Sequence, residues 1–234
     1  MTCSIFIKTY ATDFPWLKYC LRSIAKFCSG FSEIVLVAGY DDIKELNSWG
    51  LTRERLVGVH EKEPGYLWQQ AVKMNADSMC SSDFILFVDS DCCFTRQVTP
   101  DMFFMDRKPI SFKTSYVSLG DAVHWKPPTE KALGFKCDWE TMRRFPLVYP
   151  RHTLAGLRAH IADQHKMSFN DYVIYSGGFS EFNALGSFIL DKLPDALHWI
   201  DTERDDMPAT VLVQHWSHGG LTDEIKARLE AILE

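Results

Sequence analysis

The chain has 234 residues and a formal net charge of −6, with 31 Asp and Glu against 25 Lys and Arg. That balance argues against a protein that coats nucleic acid non-specifically, while leaving room for a local basic cleft. Hydrophobic residues make up 46% and aromatic residues 13%, enough to bury a core in a single domain spanning 1–234.

Residues 3–8 read as a buried strand. Residues 15–28 read as a helix, with Trp16, Leu17, Cys20, Leu21, Ile24 and Phe27 at helical spacing. Asp13 is placed to cap that helix and Pro15 suits its first turn. Strands follow at 33–38 and 56–60, then a helix at 66–79 and a strand at 84–88. This alternation predicts an α/β fold with a mostly parallel, Rossmann-like central sheet flanked by helices. After Asp91 the rhythm breaks. Residues 110–117 read as a strand, and 126–165 as mostly helical, forming a lobe over the sheet edge. A Gly-Gly turn at 177–178, a helix at 180–190 and strands at 197–200 and 211–216 come next. The chain closes with an amphipathic helix capped by Thr222, carrying Leu221, Ile225, Leu229 and Ile232 on one face. The expected subdivision is a nucleotide-binding half over about 1–117, the lobe over about 118–170 and a closing segment over about 171–234.

Seven cysteines follow no Cys-x-x-Cys spacing, which favours a reducing compartment. Cys92-Cys93 read as buried thiols rather than a soft metal site. The N-terminal residues lack a basic leader, and no apolar run approaches the ~20 residues that span a bilayer. A soluble cytoplasmic protein without a membrane partner is expected.

Four constellations carry chemistry. The run Phe84-Ile85-Leu86-Phe87-Val88 ends in Asp89-Ser90-Asp91, which puts two carboxylates at the carboxyl edge of the sheet, where open α/β folds bind ligands. Paired hard oxygens suit Mg²⁺ or Mn²⁺, although Asp also favours turns. Thr9, Tyr10 and Asp13 follow the first strand, where an aromatic ring stacks on a base or a carboxylate either accepts from a nucleoside or caps the helix. In Gly65-Tyr66-Leu67-Trp68-Gln69-Gln70, Gln69 shares a helix face with Lys73. These polar groups either need partners or form a solvated face along which Lys73 snorkels. Ser176-Gly177-Gly178-Phe179-Ser180-Glu181 joins a loop open to close backbone approach to a first-turn carboxylate, either a general base or a helix starter. Finally, Gln214-His215-Trp216-Ser217-His218-Gly219-Gly220 offers imidazoles. Only one can project to a metal, and His218, at the strand end, is favoured.

Taken in order, the first-loop Asp, the Asp-x-Asp after a buried strand, the Gly-Gly loop into an acidic helix start and the late His resemble the GT-A-fold glycosyltransferases. The segment from Gly65 to Lys73, the Phe179-Ser180-Glu181-Phe182 run and the Trp216-Ser217-His218-Gly219-Gly220 run are similar to a bacterial and phage branch of that group. The resemblance implies a nucleotide-sugar donor, a UDP-sugar such as UDP-glucose, and a divalent cation acting as a Lewis acid on the donor diphosphate. Asp91 would be the main metal ligand, Asp89 would contact ribose or metal, and His218 would complete the metal site. Thr9, Tyr10 and Asp13 would hold the nucleoside; Gln69, Gln70, Lys73 and Ser90 would line the donor site. Gly177 and Gly178 would lie near the acceptor, and Glu181 would be the base of an inverting enzyme. Inverting members show Glu-Asp or Asp-Asp where this chain has Ser180-Glu181.

For the acceptor, Arg143, Arg144, Arg151, Arg158 and Lys166, with His152, His160 and His165, suggest a basic patch. Phe145, Tyr149 and Trp139 offer stacking partners. DNA carrying a flipped 5-hydroxymethyl pyrimidine is one acceptor; a glycan or small molecule is another. The same arginines would otherwise pair with the lobe's own carboxylates. A nucleotidylyltransferase-like enzyme and a non-catalytic nucleotide-sugar-binding module are the competing readings. The first is disfavoured because the loop at residues 9–13 lacks Gly, Lys and Arg.

Overall fold

The computed structural model describes residues 1–120, 122–143 and 146–234. In chain order the elements are β1 (Cys3–Lys8), α1 (Phe14–Phe27), β2 (Glu33–Gly39), α2 (Tyr40–Asn47), β3 (Glu54–Val59), α3 (Gly65–Lys73), β4 (Phe84–Phe87) and β5 (Cys92–Phe94). Then follow β6 (Phe104–Met105), β7 (Lys108–Ser115), α4 (Lys126–Leu133), β8 (Trp139–Glu140), β9 (Leu147–Pro150), α5 (Arg151–His165) and α6 (Phe169–Tyr175). The last are α7 (Glu181–Lys192), β10 (His198–Asp201), β11 (Leu212–Gln214) and α8 (Asp223–Leu233).

The protein is an α/β protein built on a five-stranded sheet ordered β3-β2-β1-β4-β9. The first four strands run parallel and β9 is antiparallel to β4. Every residue of β1 is buried, as an apolar run at the centre of a sheet covered on both faces requires. In register, Phe6 lies beside Val35 on one side and Phe87 on the other. These residues face α3, α5, α6 and α7, with Trp68, Ala71, Leu154 and Phe182 in one core. The alternate residues Ile5, Ile7, Leu36 and Leu86 face α1, whose Leu17, Cys20 and Ile24 fill the second core. Outside α1, α8 is clamped by a two-pronged Arg22–Glu230 contact, both bonds 2.7 Å, over a small cluster of Trp16, Cys93 and Leu229. Smaller sheets pair β10-β7-β6, β7 with β8, and β11 with β5.

Four differences from the sequence reading affect the site. The helix expected over 66–79 ends at Lys73, with only a 3₁₀ turn at Ala76–Ser78 beyond it. The region 126–165 is mostly helical through α4 and α5, but β8 and β9 interrupt it, and β9 becomes the fifth strand of the main sheet. Its prolines hid the strand, because proline is tolerated only at a sheet edge, which is the place β9 holds. The helices α2 and α6 form in stretches to which the sequence reading assigned no element. Thr222 does cap α8, its side chain accepting from Ile225 N–H at 3.3 Å.

Gly186 tests the packing. It lies buried in α7, where Ala is ordinarily the better helix former by about 1 kcal/mol. A Cβ at Gly186 would overlap the Thr141 side chain, which is itself fixed by donating to the Phe182 carbonyl at 3.1 Å. Gly186→Ala should therefore lower unfolding stability by about 1–3 kcal/mol in urea titration, despite its propensity. A gain in stability would show that α7 can shift away from Thr141.

Candidate functional site

The order β3-β2-β1-β4 reverses chain direction across the sheet between β1 and β4, and this switch point leaves a crevice beyond their carboxyl ends. Val88 N–H bonds the Phe6 carbonyl and Thr9 N–H bonds the Val37 carbonyl, so the two strand ends stay in register up to the crevice. Tyr10 and Asp13 leave β1 on one side of it. Asp89, Ser90 and Asp91 leave β4 on the other.

Asp89 and Asp91 part company there. A turn closes with Cys92 N–H on the Asp89 carbonyl, so the two carboxylates do not share a strand face. Asp89 turns to α3 and meets Lys73 Nζ at 2.7 Å, with Gln214 Nε2 at 3.5 Å on its other oxygen. Asp91 turns to the chain after β11, where its Oδ2 accepts from Ser217 N–H at 3.0 Å. Its Oδ1 is buried with no hydrogen-bond partner. Burial, then the Asp89 charge and further the Asp13 charge, push the Asp91 carboxyl up to about 7 against the pull of the Ser217 N–H. Burial also raises Asp13, with Asp89 adding to it, although Ser90 Oγ donates to Asp13 Oδ2 at 3.1 Å. Asp13 thus stands at the start of α1 without capping it through its side chain.

Lys73 is the counterweight. It does not snorkel; it is buried and contacts both Asp89 and Glu181, the latter at 3.1 Å. Burial opposes its charge, but the two carboxylates together hold its pKa above the usual lysine value. Its Nζ also stands 5.3 Å over the Phe182 ring. Glu181 opens α7 as expected, and its backbone N–H is held by Gln70 Oε1 at 3.2 Å.

Two cavities meet along this ion pair, sharing Tyr66, Gln69, Lys73, Asp89, Gln214 and Trp216. One, of about 380 Å³, adds Tyr10, Asp13, Ser90, Asp91 and His218. The other, of about 340 Å³, adds Trp125, Glu140, Arg143 and Glu181. The sequence reading missed Tyr66, Gln214, Trp216 and Glu140. The first three were partly legible, because Tyr66 stands one turn before Gln69 and Gln214 alternates with Trp216. Glu140 was not, since nothing local marks β8.

Not every expected residue reaches the cavities. Gln70 lies on the buried side of α3, because consecutive residues point about 100° apart on a helix. The Thr9 side chain is buried and its Oγ1 has no partner. Gly177 and Gly178 line neither cavity; Ser176 Oγ donates to the Gly178 carbonyl at 2.9 Å, and the turn packs beside Pro128 of α4. Ser180 accepts from Asn183 Nδ2 at 3.0 Å instead of capping α7. His215 stacks on Trp16 with ring centroids 5.6 Å apart, so His218 alone of the two lines the Asp91 cavity.

The basic patch is largely dispersed. Arg158 makes a two-pronged contact with Asp77, at 2.5 and 2.8 Å. Arg151 Nη1 approaches the Asp77 carbonyl at 3.4 Å, and Lys166 pairs with Asp163 at 2.6 Å. Arg143 lines the Glu181 cavity, away from that group. Arg144 and Phe145 lie outside the described residues. All seven cysteines are buried and unpaired. No helix among the described residues is long and apolar enough to cross a membrane.

The donor chemistry of the acidic cavity is that of hard oxygen. A buried carboxylate oxygen with no hydrogen-bond partner, such as Asp91 Oδ1, is of the kind that a hard divalent cation takes as a ligand. The described residues hold no group of three His, Cys, Asp or Glu arranged around one metal position, so His218 is not drawn onto the two aspartates. A cation there would take its remaining ligands from substrate oxygens and water, as Mg²⁺-type ions commonly do.

Compared with known proteins, no protein-family model matches the chain, and no curated protein matches it. What is established is therefore the class: an α/β protein with a mixed, mostly parallel five-stranded sheet and a polar site at its switch point.

Proposed function

We propose that this protein is a glycosyltransferase that moves a sugar from a nucleotide-sugar donor, a UDP-sugar such as UDP-glucose, to a hydroxyl acceptor. The observation that carries this reading is the pairing of an acidic cavity with a second carboxylate-bearing cavity across the Lys73 ion pair. That arrangement suits a reaction with a charged leaving group on one side and a hydroxyl nucleophile on the other.

Asp91 would hold a divalent cation, with substrate oxygens and water as its other ligands, whose chemistry when bound is to neutralise the departing diphosphate. Tyr10 and Asp13 flank the nucleoside, with the ring offering a stacking face and the carboxylate accepting from a sugar or base N–H or O–H. Lys73 fixes Asp89 and Glu181 at one spacing, so both sides of the reacting centre are preorganised by a single buried ammonium. Glu181 is the carboxylate nearest the acceptor side of that bridge, which supports its role in orienting or deprotonating the hydroxyl. Gly177 and Gly178 are no longer supported as acceptor contacts, nor Thr9 and Gln70 as direct donor contacts.

As acceptor, 5-hydroxymethylated DNA is the less supported class, because Arg151 and Arg158 are engaged at Asp77, away from the cavities. A thermal-shift screen of nucleotide sugars with Mn²⁺, followed by donor turnover, tests the reading. The expected result is a melting-point rise with one UDP-sugar and slow donor hydrolysis, reduced at least about 100-fold in Glu181→Gln or Asp91→Asn, the scale of losing one acid–base or electrostatic group. Binding without turnover in wild type would favour the binding module. Pyrophosphate release from a nucleoside triphosphate would favour nucleotidyl transfer.

A further inference from the structure

The cavity on the Glu181 side has a composition that selects among acceptors. Besides Phe182 at the start of α7, its wall carries Tyr66 from α3, Trp125 from the turn before α4 and Trp216 after β11. Tyr66 is 56% and Trp216 71% exposed, so flat apolar rings stand open to solvent where a soluble protein ordinarily hides them. Between the rings are groups able to donate or accept two hydrogen bonds at once: the carboxylates of Glu140 and Glu181, the amides of Gln69 and Gln214, and Arg143.

Charge narrows the choice. Asp89, Glu140 and Glu181 contribute three formal negatives against the positives of Lys73 and Arg143. Lys73 is already committed to two of those acids, and Arg143 lies near enough to Glu140 to act on its carboxyl. A phosphate entering here would face carboxylates with no unengaged ammonium to receive it, a like-charge juxtaposition that disfavours nucleic acid, phospholipid and sugar phosphate alike. Glu140 Oε2 is buried without a hydrogen-bond partner, on a residue 2% exposed. That oxygen is covered by protein, so the hydrogen-bonding groups left to a ligand are Gln69, Gln214 and Glu181, which a polyol's O–H groups can satisfy. Volume agrees: about 340 Å³ lies at the small end of ligand pockets, room for one or two sugar rings.

We infer that this cavity is the acceptor site and that it takes an uncharged saccharide, one ring stacked on Trp125 with its hydroxyls bonded by Gln69, Gln214 and Glu181. The inference rests on the glycosyltransferase reading for the word acceptor, but saccharide binding itself does not. In the transfer, the acceptor hydroxyl oxygen forms the new bond to the anomeric carbon and its proton passes to a carboxylate. The bond from that carbon to the diphosphate oxygen breaks, and its electron pair leaves with the nucleoside diphosphate.

The test uses the full chain and saturation-transfer NMR with a panel of methyl hexosides and neutral disaccharides, without donor. At least one member should give signals on wild type and on Trp125→Phe, which keeps a flat ring, and lose them at least tenfold in Trp125→Ala. Melting curves and the UDP–Mn²⁺ thermal shift confirm that Trp125→Ala is folded and that its donor side is intact. A panel without signals, or signals indifferent to Trp125→Ala, overturns the inference. So does transfer to hydroxymethylated duplex DNA at rates that neutral sugars do not reach. Failure of the UDP–Mn²⁺ shift alongside intact saccharide signals would instead count against the donor reading.

Discussion

In metal-free buffer at pH 8, Asp91→Asn is expected to melt higher than wild type, by about 4–8 °C. The reason is the acid's environment. Burial and the neighbouring Asp89 and Asp13 charges lift the Asp91 carboxyl from 3.8 to about 7 in the folded protein. Between those values the folded state binds a proton that the unfolded state has released. Stability contributed by this group is therefore full below pH 4, falls as pH rises toward 7, and is lowest above it. Each factor of ten in proton affinity is worth about 1.4 kcal/mol, which sets a ceiling of about 4 kcal/mol; partial exposure of the residue reduces this to about 2 kcal/mol. Asparagine keeps the shape and the bond from Ser217 N–H while removing the charge. The gain should disappear at pH 4, and Mn²⁺ should raise the wild-type melting point while leaving the variant where it is. Differential scanning calorimetry at the two pH values decides the matter, and equal melting points at pH 8 would show that Asp91 is not under electrostatic strain. A residue whose removal stabilises the fold and abolishes turnover has the signature of a group kept for function.

Lys73→Met is expected to do the reverse, lowering unfolding stability by about 3–5 kcal/mol and the melting point by about 10 °C. Methionine matches the length of the lysine stem, so packing against Phe182 is largely kept. What is lost is the one ammonium within reach of both Asp89, at 2.7 Å, and Glu181, at 3.1 Å. Two carboxylates then remain together in a low-dielectric site, and each must either take up a proton or stay charged without a partner. The deficit should shrink toward pH 4, where both can protonate, and grow toward pH 8. Adding Glu181→Gln to Lys73→Met should restore part of the loss, because one buried charge is then removed outright. If urea titration finds Lys73→Met within about 1 kcal/mol of wild type, water rather than Lys73 must be satisfying these acids.

Much of this site was legible one segment at a time. Tyr10, Asp13, Asp89, Asp91, Gln69, Lys73, Glu181 and His218 all line one cavity or the other, and each was marked by its place after a strand or on a helix face. The illegible part was partnership. The sequence placed both carboxylates of Asp89-Ser90-Asp91 at the carboxyl edge of the sheet, where they are, but a turn separates the side chains, giving one to Lys73 and the other to Ser217. The run Arg143, Arg151, Arg158 counted as one patch in the sequence, yet Asp77 claims two of the three through α5 and the turn after α3. Composition cannot tell a free cation from one that will meet its counter-ion 81 residues away.

By itself the sequence determined the fold class and the location of the crevice. The apolar runs of β1, β2 and β4 demand burial on both faces, and the helices between them can only lie on those faces. Tertiary structure alone decided the fifth strand, the third acid and the use of Lys73. β9 pairs with β4 across more than fifty residues, Glu140 reaches the Glu181 cavity only because β8 pairs with β7, and Lys73 becomes a bridge only when α3 and α7 pack side by side. Local periodicity reports which face a residue takes; the partner on that face is chosen by contacts between segments distant in the chain.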